Sequence, residues 1–260
     1  MSQLPFLVGF LALLTSVLAD DDVLGSSRVF VKYHPTGFTG FRSAFQWTFG
    51  VEDFNEGFFN FIKFETDEAG GYAGLITDDN SENCQVHFSV KFAKRAEAAS
   101  GFNCTEYSVR EDEYGYKCYQ DNFDFENNAV YFIDVEISGS VFKAYISYAY
   151  ENLHFLNRTD MPRIHIGDIH WSDELHNLIP VAYYNHNYVG QSSCHRAYEL
   201  VTVNYAPVQY NGYRRLNAWV DGIEHRNKKC PTEQIMVAIT PDHQSTVYFS
   251  RARIHTGMPK

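Results

Sequence analysis

Tyr131-Phe132-Ile133-Asp134-Val135-Glu136-Ile137-Ser138-Gly139-Ser140-Val141-Phe142-Lys143-Ala144-Tyr145-Ile146-Ser147-Tyr148 is the stretch that decides the fold. Tyr131, Ile133, Val135 and Ile137 alternate with Asp134 and Glu136. After Ser138-Gly139, Phe142, Ala144, Ile146 and Tyr148 alternate with Lys143, Tyr145 and Ser147. A period of two is that of a strand with one face buried and one face wet. The Ser-Gly dipeptide between two such runs marks a hairpin. Two neighbouring antiparallel strands are therefore expected here.

Working outward, the same alternation recurs in Val86-His87-Phe88-Ser89-Val90-Lys91-Phe92. Further strands are expected at 28–33, 43–50, 57–65, 71–77, 163–171, 178–184, 197–203, 216–220, 234–240 and 246–254. Turn residues such as Asp78-Asp79-Asn80, Asn211-Gly212 and Asp221-Gly222 separate them. Ala93–Ser100 and Ser172–Asn177 are each long enough for two helical turns. No segment carries a sustained 3.6-residue period, which argues against βαβ units and a parallel sheet. Many half-buried antiparallel strands hide their inner faces most simply on each other. The expected fold is thus all-β: an antiparallel two-sheet sandwich, jelly-roll or lectin-like, with few or no helices. One domain over 20–260 is expected, and a sub-division into two β domains near residue 160 is the alternative.

Composition agrees with a packed globular chain. Its 260 residues include 21 Phe, 18 Tyr and 3 Trp, and only 20% are charged. A disordered chain would be poor in rings and rich in charge. The formal net charge of −11 speaks against a nucleic-acid partner, since phosphate binding needs a basic surface. The imbalance is regional: residues 20–130 carry 20 acidic and 9 basic side chains, while 131–260 carry 12 of each. A solvated acidic face accounts for it. Calcium is a candidate at Asp78, Asp79 and Glu82 or at Glu111, Asp112 and Glu113, although neither cluster has the spacing of a defined calcium loop.

Leu4 to Leu18 is almost wholly apolar, ends in Val17-Leu18-Ala19, and runs directly into Asp20-Asp21-Asp22. This is the pattern of a cleaved signal peptide over 1–19. A secreted, extracellular product follows, and no second apolar run reaches the length of a membrane-spanning helix. In an oxidising compartment, Cys84, Cys104, Cys118, Cys194 and Cys230 form at most two bridges. Cys104–Cys118 is the first choice, closing an irregular Glu-, Asp- and Tyr-rich loop. Cys194–Cys230 is the second. Cys84 is then left over, either to link two copies of the chain or act as a reactive thiol, or to sit buried as a small hydrophobe. Two sequons, Asn103-Cys104-Thr105 and Asn157-Arg158-Thr159, are glycosylation candidates, Asn157 the better of the two.

One segment resembles a known family. It reads Trp47-Thr48-Phe49, Phe61-Ile62-Lys63-Phe64, Gly70-Gly71-Tyr72-Ala73-Gly74-Leu75-Ile76 and Phe88-Ser89-Val90. This is similar to the secreted domain-of-unknown-function family numbered 3472, over about 45 residues. Its members commonly carry a Trp after the Phe-Ser pair, where this chain has Lys91 and Phe92. The resemblance implies a secreted, lectin-like β-sandwich and supplies no catalytic residues. Taken by themselves, Gly70, Gly71 and Gly74 permit a close approach or a bulge, with Tyr72 and Leu75 on opposite faces.

Three groups of residues carry candidate chemistry. In His165-Ile166-Gly167-Asp168-Ile169-His170, a regular strand puts Asp168 and His170 on one face and His165 on the other. A metal site there would need His154 or His186 as well. Tyr183-Tyr184-Asn185-His186-Asn187-Tyr188 combines amphipathic rings with amide and imidazole groups, the types that stack on sugars and bond their hydroxyls. Trp219 and Asp221, with Tyr210, Asn211 and Tyr213 upstream, have the same character. Tyr183, Tyr184, Asn185, His186, Tyr188, Trp219 and Asp221 are therefore the expected ligand-binding residues, for an extracellular glycan or protein. A polysaccharide lyase using Tyr184, His186 and Arg196 or Arg214, or a glycosidase with two placed carboxylates, is the enzymatic alternative. A Gly-x-Ser-x-Gly nucleophile motif is absent. A secreted structural or interaction protein of a matrix or secretory fluid is the third class.

Overall fold

The computed structural model describes residues 26–32, 38–49, 58–77, 84–110, 113–124, 126, 129–149, 162–187, 201–205, 209–210, 219–226, 233–239 and 246–252. Residues 1–19, expected to be a signal peptide, Cys194, Cys230, Asn157, His154, Tyr188, Arg196, Asn211, Tyr213, Arg214 and the acidic residues Asp78, Asp79, Glu82, Glu111 and Asp112 lie outside them. In chain order the strands are β1 (Ser26–Lys32), β2 (Gly40–Phe49), β3 (Phe58–Glu65), β4 (Gly70–Thr77), β5 (Cys84–Lys91), β6 (Arg95–Ala98), β7 (Asn103–Arg110), β8 (Glu113–Phe123) and β9 (Val130–Ser138). There follow β10 (Val141–Ala149), β11 (Ile164–His170), β12 (Ile179–Asn187), β13 (Val201–Tyr205), β14 (Gln209–Tyr210), β15 (Trp219–Arg226), β16 (Glu233–Ile239) and β17 (Thr246–Ala252).

These strands make two antiparallel sheets packed face to face, and no helix occurs among the described residues. Sheet I has eight strands in the order β15-β1-β12-β3-β4-β5-β8-β7. Sheet II has nine, ordered β16-β17-β13-β2-β9-β10-β11-β6 with β14 also paired to β2. Each sheet mixes strands from before and after residue 160. The hairpin read from the sequence is β9–β10, in unbroken register from Val141↔Ser138 to Ala149↔Val130.

Alternation sends one side chain in two to the core. Ile62, Phe64, Ala73, Leu75, Val86, Phe88 and Val90 come from sheet I; Phe41, Phe45, Tyr131, Ile133, Val135, Phe142, Ala144 and Ile146 come from sheet II. Phe64 links the layers, with ring centroids 6.3 Å from Phe41 and 5.7 Å from Phe142. Burying an aliphatic or aromatic side chain of this size stabilises by about 1.5–3 kcal/mol. The Gly-Gly-Tyr-Ala-Gly run is structural: a Cβ at Gly71 would lie 1.9 Å from the Ser89 carbonyl oxygen, and one at Gly74 would lie 2.0 Å from that of Asn60.

Several expectations are corrected. Within Ala93–Ser100 the chain forms the short strand β6, Arg95–Ala98, paired to β11, since cross-strand bonding outweighs alanine's preference for helix. Ser172–Asn177 is not helical either; Leu175 N–H bonds the Gly139 carbonyl and Asn177 has φ +56°. The segment holding Cys104 and Cys118 is a hairpin of β7 and β8, with the two cysteines directly opposite. Their disulfide is present, with Cα atoms 4.1 Å apart, the spacing of a non-hydrogen-bonded antiparallel pair. Cys84 is a free thiol buried in the core, and burial pushes its pKa well up. A thiol held there is the small hydrophobe of the second reading, out of reach of another chain.

Candidate functional site

Because alternate residues face outward, each sheet presents an outer face, and the two differ. On sheet I the registers align one row across seven strands: Arg28, Tyr184, Phe61, Gly74, His87, Tyr119 and Asn103. The adjacent row contains Lys63, Tyr72, Ser89, Lys117 and Thr105. Phe61 touches both Tyr72 (6.3 Å) and His87 (5.4 Å), and Lys117 Nζ lies 5.2 Å from the centre of the Tyr119 ring. Phe61, Tyr72, His87 and Tyr119 are all half-buried, presenting part of each ring.

His87 is the distinctive group. Its Nδ1 is shielded from water and has no hydrogen-bond partner among the described residues. Burial, with Lys117 adding repulsion, lowers its pKa to about 3, so the imidazole is neutral across the ordinary pH range. Leaving a buried polar group unpaired costs about 1–3 kcal/mol, a cost that a bound partner would remove. Lys63 beside it is buried and paired to Glu65 at 2.8 Å.

The outer face of sheet II is an ion-pair ladder. Arg42 Nε and Nη2 donate to the two carboxylate oxygens of Asp134 at 2.7 and 2.9 Å, both side chains nearly inaccessible, with the guanidinium 5.4 Å above Phe132. Burial raises the Asp134 pKa despite Arg42 and Arg163. Arg163 sits 3.8 Å over the Tyr145 ring and contacts both Asp134 and Glu136. Burial first, then Glu136, pushes the Tyr145 phenol up, which suits a structural ring and not a base.

His165 stacks on Tyr145 at 4.9 Å and meets Asp168 at 2.7 Å, and Lys143 is 3.7 Å from the same carboxylate. The expected face assignment is corrected at this point. A bulge between Ala144 and Tyr145 in the β10–β11 register leaves Ile166 as an extra buried residue. That switches the alternation, so His165 joins Asp168 and His170 on the outer face. His170 turns instead to Glu97, 3.2 Å away. Among the described residues no three His, Cys, Asp or Glu side chains gather as a metal site.

The expected ligand-binding residues other than Tyr188, which lies outside the described residues, fall on β12 and β15, the two strands flanking β1. Tyr184 and His186 register with Phe61 and Phe59, while Tyr183 and Asn185 register with Ile62 and Asn60. Trp219 is opposite Lys32, and Asp221 falls at a register irregularity of β1 and β15. Lys32 lies four positions along β1 from Arg28, the partner of Tyr184, so the Trp219 and Tyr184 positions are about 13 Å apart along the strands. Phe61, Tyr72, His87, Lys117 and Tyr119 were not among the ligand-binding residues expected from sequence. The available signal was the outward set Gln85, His87, Ser89 and Lys91, in which one imidazole interrupts simple polar residues.

No family model matches the chain, and no curated protein matches it. Among solved structures it is similar to scytalido-glutamic peptidase with a peptide-based transition-state analog, at 10% identity and TM-score 0.44, covering 86% of this chain and 96% of that one. It is also similar to SCP-B, a member of the Eqolisin family of peptidases, in complex with the tripeptide Ala-Ile-His, at 8% identity and TM-score 0.44, with the same coverage. No residue, activity or ligand is carried over from either.

Proposed function

We propose that this chain is a secreted, extracellular β-sandwich that binds a glycan, without catalysis, on the outer face of sheet I. The carrying observation is the group Phe61, Tyr72 and His87 around Gly74: touching aromatic rings beside a neutral imidazole with an unused, water-shielded nitrogen. Rings of this kind cover the C–H faces of a sugar, and the imidazole nitrogen bonds a hydroxyl once the side chains that shield it move aside. Tyr184 and His186 belong to the same proposal through their registers with Phe61 and Phe59. Trp219, Asp221, Tyr183, Asn185 and Tyr188 extend it, and calcium is not required for it. The likeness of Trp47–Val90 to the secreted family 3472 is part of this proposal.

The test is a broad glycan array on the secreted protein, followed by titration of the best oligosaccharide. Wild type is expected to bind, and Tyr72→Ala to weaken binding about tenfold, as losing one aromatic contact of about 1–1.5 kcal/mol does. A silent array, or unchanged affinity of the folded Tyr72→Ala variant, overturns the proposal.

A further inference from the structure

The first residue of β7 is Asn103, exposed, with Thr105 exposed two positions on. Its cross-strand neighbour is Tyr119. Since Cys104 and Cys118 form the non-hydrogen-bonded pair, Asn103 and Tyr119 form the adjoining hydrogen-bonded pair, with Cα atoms about 5.5 Å apart and side chains on one face. The disulfide fixes that register. Lys117 lies over the Tyr119 ring, orienting it. Among the described residues β7 is the outermost strand of sheet I, and such an edge exposes unpaired backbone groups.

We infer that Asn103 is an occupied N-glycosylation site whose first N-acetylglucosamine packs on Tyr119 and shields the β7 edge. The inference rests on the secretory part of the proposed function. The asparagine amide nitrogen forms a bond to the anomeric carbon of an oligosaccharide carried on a lipid pyrophosphate. The bond from that carbon to the pyrophosphate oxygen breaks, the lipid pyrophosphate leaves, and the amide proton passes to the transferase base. Because the strand pairing and the disulfide hold Asn103 in the folded hairpin, transfer precedes closure of the bridge. The sugar then occupies the end of the same row as His87 and Phe61.

The full chain is expressed in secreting eukaryotic cells with Asn157→Gln, so that one sequon remains. The Asn103 peptide is expected to be recovered as aspartate after peptide-N-glycosidase treatment. Relative to Asn103→Gln, the glycosylated protein is expected to melt a few degrees higher, and trimming to a single N-acetylglucosamine is expected to keep most of that gain. Tyr119→Ala is expected to lower the melting temperature more in the glycosylated protein than in the Asn103→Gln background. An unmodified Asn103 in protein recovered from the medium overturns the inference and leaves secretion standing. Loss of the whole gain on trimming, or equal effects of Tyr119→Ala in both backgrounds, overturns the packing on Tyr119. Protein absent from the medium counts against secretion itself.

Discussion

The two outer faces are built on the same kind of sheet, yet they handle polar groups in opposite ways. On sheet II the described charged groups pair with one another: Arg42 with Asp134, Arg163 with Glu136, Lys143 with Asp168 and Arg95 with Glu97, while His165 meets Asp168. The charges of that face are met mainly by its own residues, although the buried Ser147 hydroxyl has no hydrogen-bond partner among the described residues. On sheet I, Phe61, Tyr72 and His87 meet as rings, and the imidazole Nδ1 is left without a protein partner. In the proposed function it is this unused nitrogen, set among rings, that takes the ligand.

The largest expected effect is on the ion-paired face. Asp134→Ala removes the carboxylate that Arg42 bonds through two nitrogens inside the fold and is expected to cost about 3–5 kcal/mol in chemical denaturation. The double variant Arg42→Met with Asp134→Leu should recover most of that loss, since a buried pair is costly to break but replaceable by apolar groups. If the single variant costs under about 1 kcal/mol, the buried pair is not the anchor of sheet II.

A smaller effect separates the faces by pH. Unfolded, His87 takes up a proton near its ordinary pKa of 6.5; folded, it does so only near 3. The unfolded state therefore binds more protons in that window. The His87 contribution to stability is full above about pH 6.5 and is lost as pH falls toward 3, at up to about 1.4 kcal/mol per pH unit. His87→Phe is expected to flatten the stability profile between pH 6.5 and 5, before carboxylates titrate. A slope identical to wild type contradicts a buried neutral imidazole.

Least of all is expected from His165→Ala. Its partly exposed pair with Asp168 is worth a few tenths of a kcal/mol, up to about 1, and glycan affinity should stay within twofold of wild type.

What the sequence revealed follows from where apolar and polar side chains alternate. β9 and β10 were legible because Ile133, Val135, Ile146 and Phe142 alternate with polar groups, although in β9 the other face, with Val130, Phe132 and Asp134, is buried as well. β7 and β8 were not, because residues such as Thr105, Glu106 and Ser108 are exposed on both sides of an edge strand, and no alternation results. β6 is only four residues, two of them alanine, and its pairing partner is about 70 residues away. His165 was assigned to the wrong face because a bulge inserts Ile166, and nothing local announces it. The aromatic cluster at 183–188 was visible as composition, but its alternating registers divide it. His87 read as one polar member of a strand; only the packing of β3, β4 and β5 isolates its nitrogen.

The most direct measurement is a crystal structure of the protein with the oligosaccharide selected by the array. A sugar ring on the outer face of sheet I, over Phe61 and Tyr72 with a hydroxyl within hydrogen-bonding distance of His87 Nδ1, is the predicted result. A sugar on the ion-pair ladder of sheet II, with the sheet I face empty, would contradict the account.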